Sequence, residues 1–342
     1  SAYNKFMEQS HYLFLKLIPE FSRYPDIKRL FIIPDKHLNF LPFELLISAS
    51  QKKGLYNYKN LSYLVNDYNI SYGYSSTLLF DKRQGASKPK RSTPRLLAVA
   101  PSYKDILTDT IQLAQLGEYR DGFEELYYNK EEVESIGSYF NSKVLSGSKA
   151  TESAVMKVIK DYNILHFAMH ALVDNENSEN SKFIFSNSRD SLDDSFLHNY
   201  ELYNTSLNCD LAVLSACNTG NGNLASGEGV MSLSRAFTYA GAKSVVTSHW
   251  RVNDQSSSEL MKLFYKELAE GKSKDEALRL AKLAFLENAN PLFHHPFHWN
   301  NFVVVGDISP VIVKTSWYES IYFYLLIIII MSSIFVYMKK IR

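Results

Sequence analysis

The chain has 342 residues, 46% of them hydrophobic, and a formal net charge of +1 at pH 7. That is enough apolar material for a large core, and the near-neutral balance excludes nucleic-acid binding driven by overall charge. Two cysteines, Cys209 and Cys217, stand too close along one apolar run for an obvious structural bridge, which points to a reducing compartment.

Residues 1–20 read as the end of an upstream helical region with no cap at the start. A strand over 29–35, a short helical turn within 40–46 and a strand over 68–74 follow. Residues 83–95 are rich in Lys, Arg, Ser and Pro without an apolar period, and read as a basic linker. From 96 onward strand and helix alternate. Strands are expected at 96–100, 164–170, 182–186, 210–217, 244–249 and 302–305. Helices are expected at 130–140, after a Thr151 cap, at 230–240 with a stop at Gly241, and at 256–268 and 274–288. The economical fold is α/β, a mostly parallel sheet sandwiched by helices, over 96–308.

A juxtamembrane stretch, 309–320, then leads into 321–338, which is uncharged and almost wholly apolar. Trp317, Tyr318 and Tyr322 stand at its start, and Lys339, Lys340 and Arg342 form a basic tail over 339–342. This pattern predicts a carboxyl-terminal transmembrane helix. With no signal pattern at the start, the expectation is a single-pass membrane protein whose large domain is cytoplasmic.

Two apolar runs end in chemistry-bearing residues. Asn163-Ile-Leu-His-Phe-Ala-Met-His170 delivers a histidine to the end of a strand, and Asp210-Leu-Ala-Val-Leu-Ser-Ala-Cys-Asn-Thr-Gly220 delivers a cysteine. If both strands are parallel members of one sheet, their ends share the rim where such sheets place their sites. The 47 positions between His170 and Cys217 match the roughly 50 found between histidine and cysteine in caspase-type proteases. A thiol attacks as thiolate, and a neighbouring imidazole both promotes its ionisation and can protonate a leaving amine. The alternative for Cys217 is an inert, buried strand cysteine. Other patterns lead nowhere: Gly271-Lys-Ser273 lacks the upstream glycine of a phosphate loop, and His294, His295 and His298 lack companion acids for a metal site.

Taken together, these motifs carry a resemblance. Phe31-Ile-Ile-Pro-Asp-Lys-His-Leu-Asn-Phe-Leu-Pro-Phe-Glu-Leu-Leu46, the His170 and Cys217 segments, Gly227-Glu-Gly-Val230 and Arg235-Ala-Phe-Thr-Tyr-Ala-Gly-Ala242 stand in order. Trp250-Arg-Val-Asn-Asp254 and His295-Pro-Phe-His-Trp299 follow them. The set resembles the CHAT domain, the caspase-like, separase-related cysteine peptidase family. One departure is Ala171, where the family usually has glycine; alanine keeps its N–H but not the freedom at positive φ.

The resemblance implies His170 as general acid/base and Cys217 as nucleophile, with the backbone N–H groups of Ala171 and Cys217 binding the oxyanion. It also implies a pseudo-caspase-like amino-terminal lobe over 21–82 and a sensing region upstream, commonly of tetratricopeptide repeats. No cofactor and no metal are implied. Trp250, Arg251 and Asp254 are the candidate substrate-binding residues, because their segment is similar to the Trp-Asp-Val-Thr-Asp segment of separases, where an acid recognises a basic P1 residue. Asp254 matches the second acid and Arg251 replaces the first; the alternative for Asp254 is the N-cap of the next helix. The function expected is a membrane-anchored cysteine endopeptidase that cuts a protein partner in a bacterial-type defence or stress pathway. A non-catalytic CHAT-like binding or signalling module is the alternative.

Overall fold

The computed structural model describes residues 1–18, 26–49, 57–76, 93–108, 123–174, 177–188, 193–218, 227–250, 253–312, 324 and 330, with the backbone alone at 216–218 and 227–232. Strands among them are β1 (Arg29–Ile32), β2 (Asn69–Tyr72), β3 (Arg95–Ala100), β4 (Asn141–Ser146), β5 (Ile164–Leu172), β6 (Lys182–Ile184), β7 (Phe196–His198), β8 (Leu211–Asn218), β9 (Ser244–Ser248) and β10 (Phe302–Gly306). They build one sheet in the order β1-β2-β10-β9-β8-β5-β3-β4, to which β6 and β7 add beside β5. The centre, β3-β5-β8-β9, is parallel throughout. Antiparallel pairing is confined to β10 against β9 and to the β5-β6-β7 side.

All nine residues of β5 are buried, because helices cover both faces of the sheet and the strand has no solvent side. Its period of two splits it between two cores. Leu165, Phe167 and Met169 pack with Leu214 and with Phe237 of helix Gly227–Ala240. Ile164 and Ala168 pack with Val213 and with Leu260 and Phe264 of helix Asp254–Ala269, beside helix Lys274–Asn288. A smaller core, with Phe43, Leu46, Ile70 and Val303, lies under β2 and β10.

Local signals explain the element ends. Thr151 accepts from the Ala154 N–H and starts helix Glu152–Met156, as expected from the sequence. At helix Ala2–Leu17 the Ser1 side chain accepts from the Asn4 N–H. Gly241 ends helix Gly227–Ala240 at φ +117, and a Cβ there would stand 2.4 Å from the Leu207 carbonyl oxygen. Gly241→Ala is therefore expected to cost more than about 1 kcal/mol, read as a lower urea midpoint. An unchanged midpoint would refute the strain argument.

The mixed α/β architecture fits the expected fold; its carboxyl-terminal transmembrane helix does not. Among the described residues no helix is long and apolar enough to cross a membrane. A span needs about 20 continuous apolar residues in helix. Of 321–338 only Tyr324 and Ile330 are described, and the rest lies outside the described residues. The membrane-spanning part of the fold, the membrane as a partner and the single-pass localisation are corrected accordingly. Most of the expected basic linker, 83–92, also lies outside the described residues.

Candidate active site

Parallel pairing of β5 with β8 makes His170 and Cys217 direct Cα partners, followed by Ala171 opposite Asn218. Both stand near the carboxyl ends of their strands. His170 is 3% exposed. Its ring packs against two aromatic rings, Tyr103 and Phe123, each with its centroid 4.7 Å away and the two 5.0 Å from each other, so the three rings form one cluster. The backbone N–H of His170 donates to Tyr103 Oη at 2.8 Å, and the Tyr103 hydroxyl donates on to the Ile184 carbonyl at 3.1 Å. His170 Nε2 lies 2.7 Å from the carbonyl oxygen of Glu124. A carbonyl only accepts, so Nε2 carries the proton and Nδ1 is the basic nitrogen of the neutral ring.

Ala171 is 2% exposed and sits in ordinary strand backbone. Among the described residues, Lys36 and Ser195 alone of the non-glycines have positive φ. The freedom that glycine would add at position 171 is thus not required here.

Two residue pairs inward from His170 and Cys217, Ala168 of β5 and Ser215 of β8 line a small cavity. Asn129 and Glu132 of helix Asn129–Gly137, Asp254 and Ser257 of helix Asp254–Ala269, and Leu126 wall it. Its volume of about 10 Å³ holds one water-sized group. Asp254 is not the helix cap: Asn253 is, its side chain accepting from the Ser256 N–H at 3.0 Å. The Asp254 carboxylate instead accepts from the Tyr128 N–H at 2.8 Å. Burial pushes the Asp254 carboxyl above the usual aspartate range and nearby Glu132 adds to this, while the backbone N–H groups of Tyr128 and Tyr127 pull it back. Trp250 is half-buried, and its Nε1–H donates to the Phe297 carbonyl at 3.2 Å. Arg251 lies outside the described residues.

A family model described as CHAT domain matches residues 4–307. The chain belongs to the CHAT domain family. Tetratricopeptide repeat protein 28 of Mus musculus is 27% identical over 52% of this chain and 8% of its own length. The protein of the same name from Homo sapiens is 26% identical over the same shares, so the chain spans a small fraction of these relatives. Among solved structures, the complex of Porphyromonas gingivalis RgpB pro- and mature domains matches with a TM-score of 0.48 at 10% identity, over 90% of this chain and 70% of that chain. The Saccharomyces cerevisiae separase–securin complex matches with a TM-score of 0.39 at 14% identity, over 73% of this chain and 14% of that one. Membership of the family rests on the sequence match.

Several features of this CHAT domain were not visible as site residues in the sequence. His166, on the same strand and of the same parity as His170, is fully buried with Nε2 at 2.8 Å from Glu132 Oε1 and Nδ1 at 3.1 Å from the Tyr265 hydroxyl. Glu132 thereby joins the cavity wall to the sheet. Only the alternation of residues 164–170 hinted that His166 belongs to the same face. The segment 123–128 carries no periodic signal at all. The histidines set aside as metal ligands have structural partners: His295 caps helix Pro296–Trp299, and His294 Nε2 meets the Ala289 carbonyl. Cys209 is buried, and burial pushes its thiol up to about 12, which leaves it inert.

Proposed function

We propose that this CHAT domain is a cysteine endopeptidase that cuts a protein partner with Cys217 as nucleophile and His170 as general acid/base. The observation that carries the reading is the register of β5 and β8, which pairs His170 with Cys217 while the Glu124 carbonyl fixes the histidine as an Nε2–H tautomer. On this reading Nδ1 takes the thiol proton, the thiolate attacks the scissile carbonyl, and the imidazolium returns the proton to the leaving amine. Water, deprotonated by the same imidazole, then hydrolyses the thioester and frees the acid product. The N–H groups of Ala171 and Cys217 serve as oxyanion donors. The names of the curated relatives support a tetratricopeptide repeat region as the element that presents or senses the partner. The resemblance adds a setting in a bacterial-type defence or stress response.

Substrate selection is assigned to the cavity beside the pair. Ser215, which lines the cavity, stands two residues before Cys217 on β8, and this proximity along the strand supports the pocket reading. Asp254 offers a carboxylate for a charge-assisted bond to a basic P1 side chain, with Trp250 at the rim and Arg251 tempering the charge. A Lys or Arg side chain exceeds the present volume, so it enters only as the Leu126 side chain turns aside while the backbone of its segment stays in place.

A P1-varied peptide library tests both statements. Wild type is expected to prefer Arg or Lys at P1, and Asp254→Asn to lose about tenfold or more of that preference. Because the Asp254 carboxyl is held above its usual range, its proton returns as pH falls before that of an ordinary aspartate, and the preference weakens with it. An unchanged P1 profile in the variant removes Asp254 from the pocket, and no cleavage of any peptide favours a binding or signalling module.

A further inference from the structure

The segment 123–128 touches His170, the cavity beside it and Asp254. Phe123 packs on the His170 ring, and the Glu124 carbonyl accepts from His170 Nε2. Leu126 walls the acidic cavity, and the Tyr128 N–H holds Asp254. No hydrophobic period makes this stretch a helix or a strand, so something else must fix its position. Glu125 supplies that restraint. Its carboxylate accepts from Ser102 Oγ at 2.9 Å and from the Tyr103 N–H at 2.7 Å, both just after β3. Ser102 is tied in turn through its N–H to Ser186 Oγ at 3.0 Å, and Tyr103 carries the hydroxyl that receives the His170 N–H. One carboxylate therefore sits between the carbonyl that orients the histidine and the tyrosine that holds the histidine's backbone.

We propose that Glu125 is the positioning residue of this site: it buckles segment 123–128 to the end of β3, and through that segment sets both the tautomer of His170 and the wall of the Asp254 cavity. It touches no reacting atom. The Glu124 carbonyl acts on the imidazole, and Glu125 keeps that carbonyl in place. In its catalytic consequence, the inference rests on the peptidase reading above. In its structural content it does not. The two charge-assisted bonds differ in what a substitution removes. Alanine deletes both, whereas glutamine keeps an acceptor for the Tyr103 N–H and an amide that donates to Ser102 Oγ.

The test is the ring-nitrogen spectrum of the whole chain labelled with 15N-histidine at neutral pH, the His170 signals being assigned by their loss in His170→Ala. Wild type and Glu125→Gln are expected to show the pattern of a fixed Nε2–H tautomer. Glu125→Ala should show His170 nitrogens averaged toward a mixture of tautomers, with His166 unmoved, because Glu132 and Tyr265 hold it independently. A general loosening would shift both histidines and would overturn the assignment, as would wild-type His170 shifts in Glu125→Ala. Should that variant fail to fold, Ser102→Ala removes one of the two bonds, and a smaller averaging at His170 alone is expected; wild-type shifts there count against the proposal. Where the wild type cleaves peptide, kcat per titratable thiol should fall about tenfold or more in Glu125→Ala and recover in Glu125→Gln. An unchanged kcat defeats the positioning role, while a wild type that cleaves nothing but shows the expected spectra defeats the peptidase reading alone.

Discussion

Cys217→Ala and His170→Ala are each expected to lower peptide hydrolysis by at least about 10⁴-fold, and the double variant to lose little more than either alone. The non-additivity follows from the chemistry. Without the thiol the imidazole has nothing to deprotonate, and without the imidazole the thiol lacks both its base and the acid that releases the amine. Folding should survive Cys217→Ala, which removes one sulfur. His170→Ala empties more space beside the rings of Tyr103 and Phe123, so its thermal midpoint should fall while the protein remains folded at 25 °C. Initial rates on a cleavable peptide, normalised to folded protein by near-ultraviolet circular dichroism, check the pair. A Cys217→Ala protein that still turns over substrate would remove the nucleophile.

The second large effect is on stability. Glu44 and Lys282 are both buried, and Lys282 Nζ donates to Glu44 Oε1 at 3.3 Å. The Tyr72 hydroxyl donates to Glu44 Oε2 at 2.6 Å, and the Phe43 N–H donates to the same Tyr72 oxygen at 3.0 Å. Burial pushes the Lys282 ammonium below the usual lysine range, and Glu44 is the charge that opposes this. Glu44→Ala leaves that ammonium and the tyrosine hydroxyl without their acceptor, and about 3–5 kcal/mol of stability should go with it. Replacing both ends with apolar residues of similar volume, Glu44→Leu with Lys282→Met, should recover most of the loss, because desolvation then penalises neither partner. Urea denaturation separates the cases. A Glu44→Ala protein within about 1 kcal/mol of wild type would show that the pair is solvated in practice.

The ends of the strands were legible because parallel, doubly covered strands read as near-continuous apolar runs. Residues 164–170 and 211–217 announce themselves in this way, and the alternation of strand and helix from 96 onward pointed to the parallel sheet in which β9 lies beside β8. A shared rim for His170 and Cys217 was expected if both strands were parallel, while their direct pairing is set by the register of β5 and β8. β4 did not read as a strand, since Asn141–Ser146 lies at the sheet edge with its first half exposed and no apolar face to show. The direction of β10 was equally hidden: it pairs antiparallel with β9 and parallel with β2, a choice made by tertiary packing.

Side chains that act on distant backbone were beyond reach. Glu125 holds residues 22 and 23 positions away, Glu132 meets a histidine 34 positions on, and Glu44 finds its lysine 238 positions later. The Pro42-Phe-Glu-Leu45 stretch marked Glu44 as part of a motif, yet nothing local told that its task is to neutralise Lys282. For Asp254 the sequence offered two roles, helix cap and pocket acid. The structure gave the cap to Asn253 and left the acid facing the cavity.

The most direct measurement of the central claim is the reaction of the whole chain with a peptidyl electrophile carrying Arg at P1, followed by intact mass and peptide mapping. A single adduct on Cys217 is expected in wild type, formed at least tenfold more slowly in His170→Ala, with Cys209 unlabelled because burial pushes its thiol up to about 12. No adduct on folded protein, or labelling of Cys217 that His170→Ala leaves unchanged, would contradict that claim.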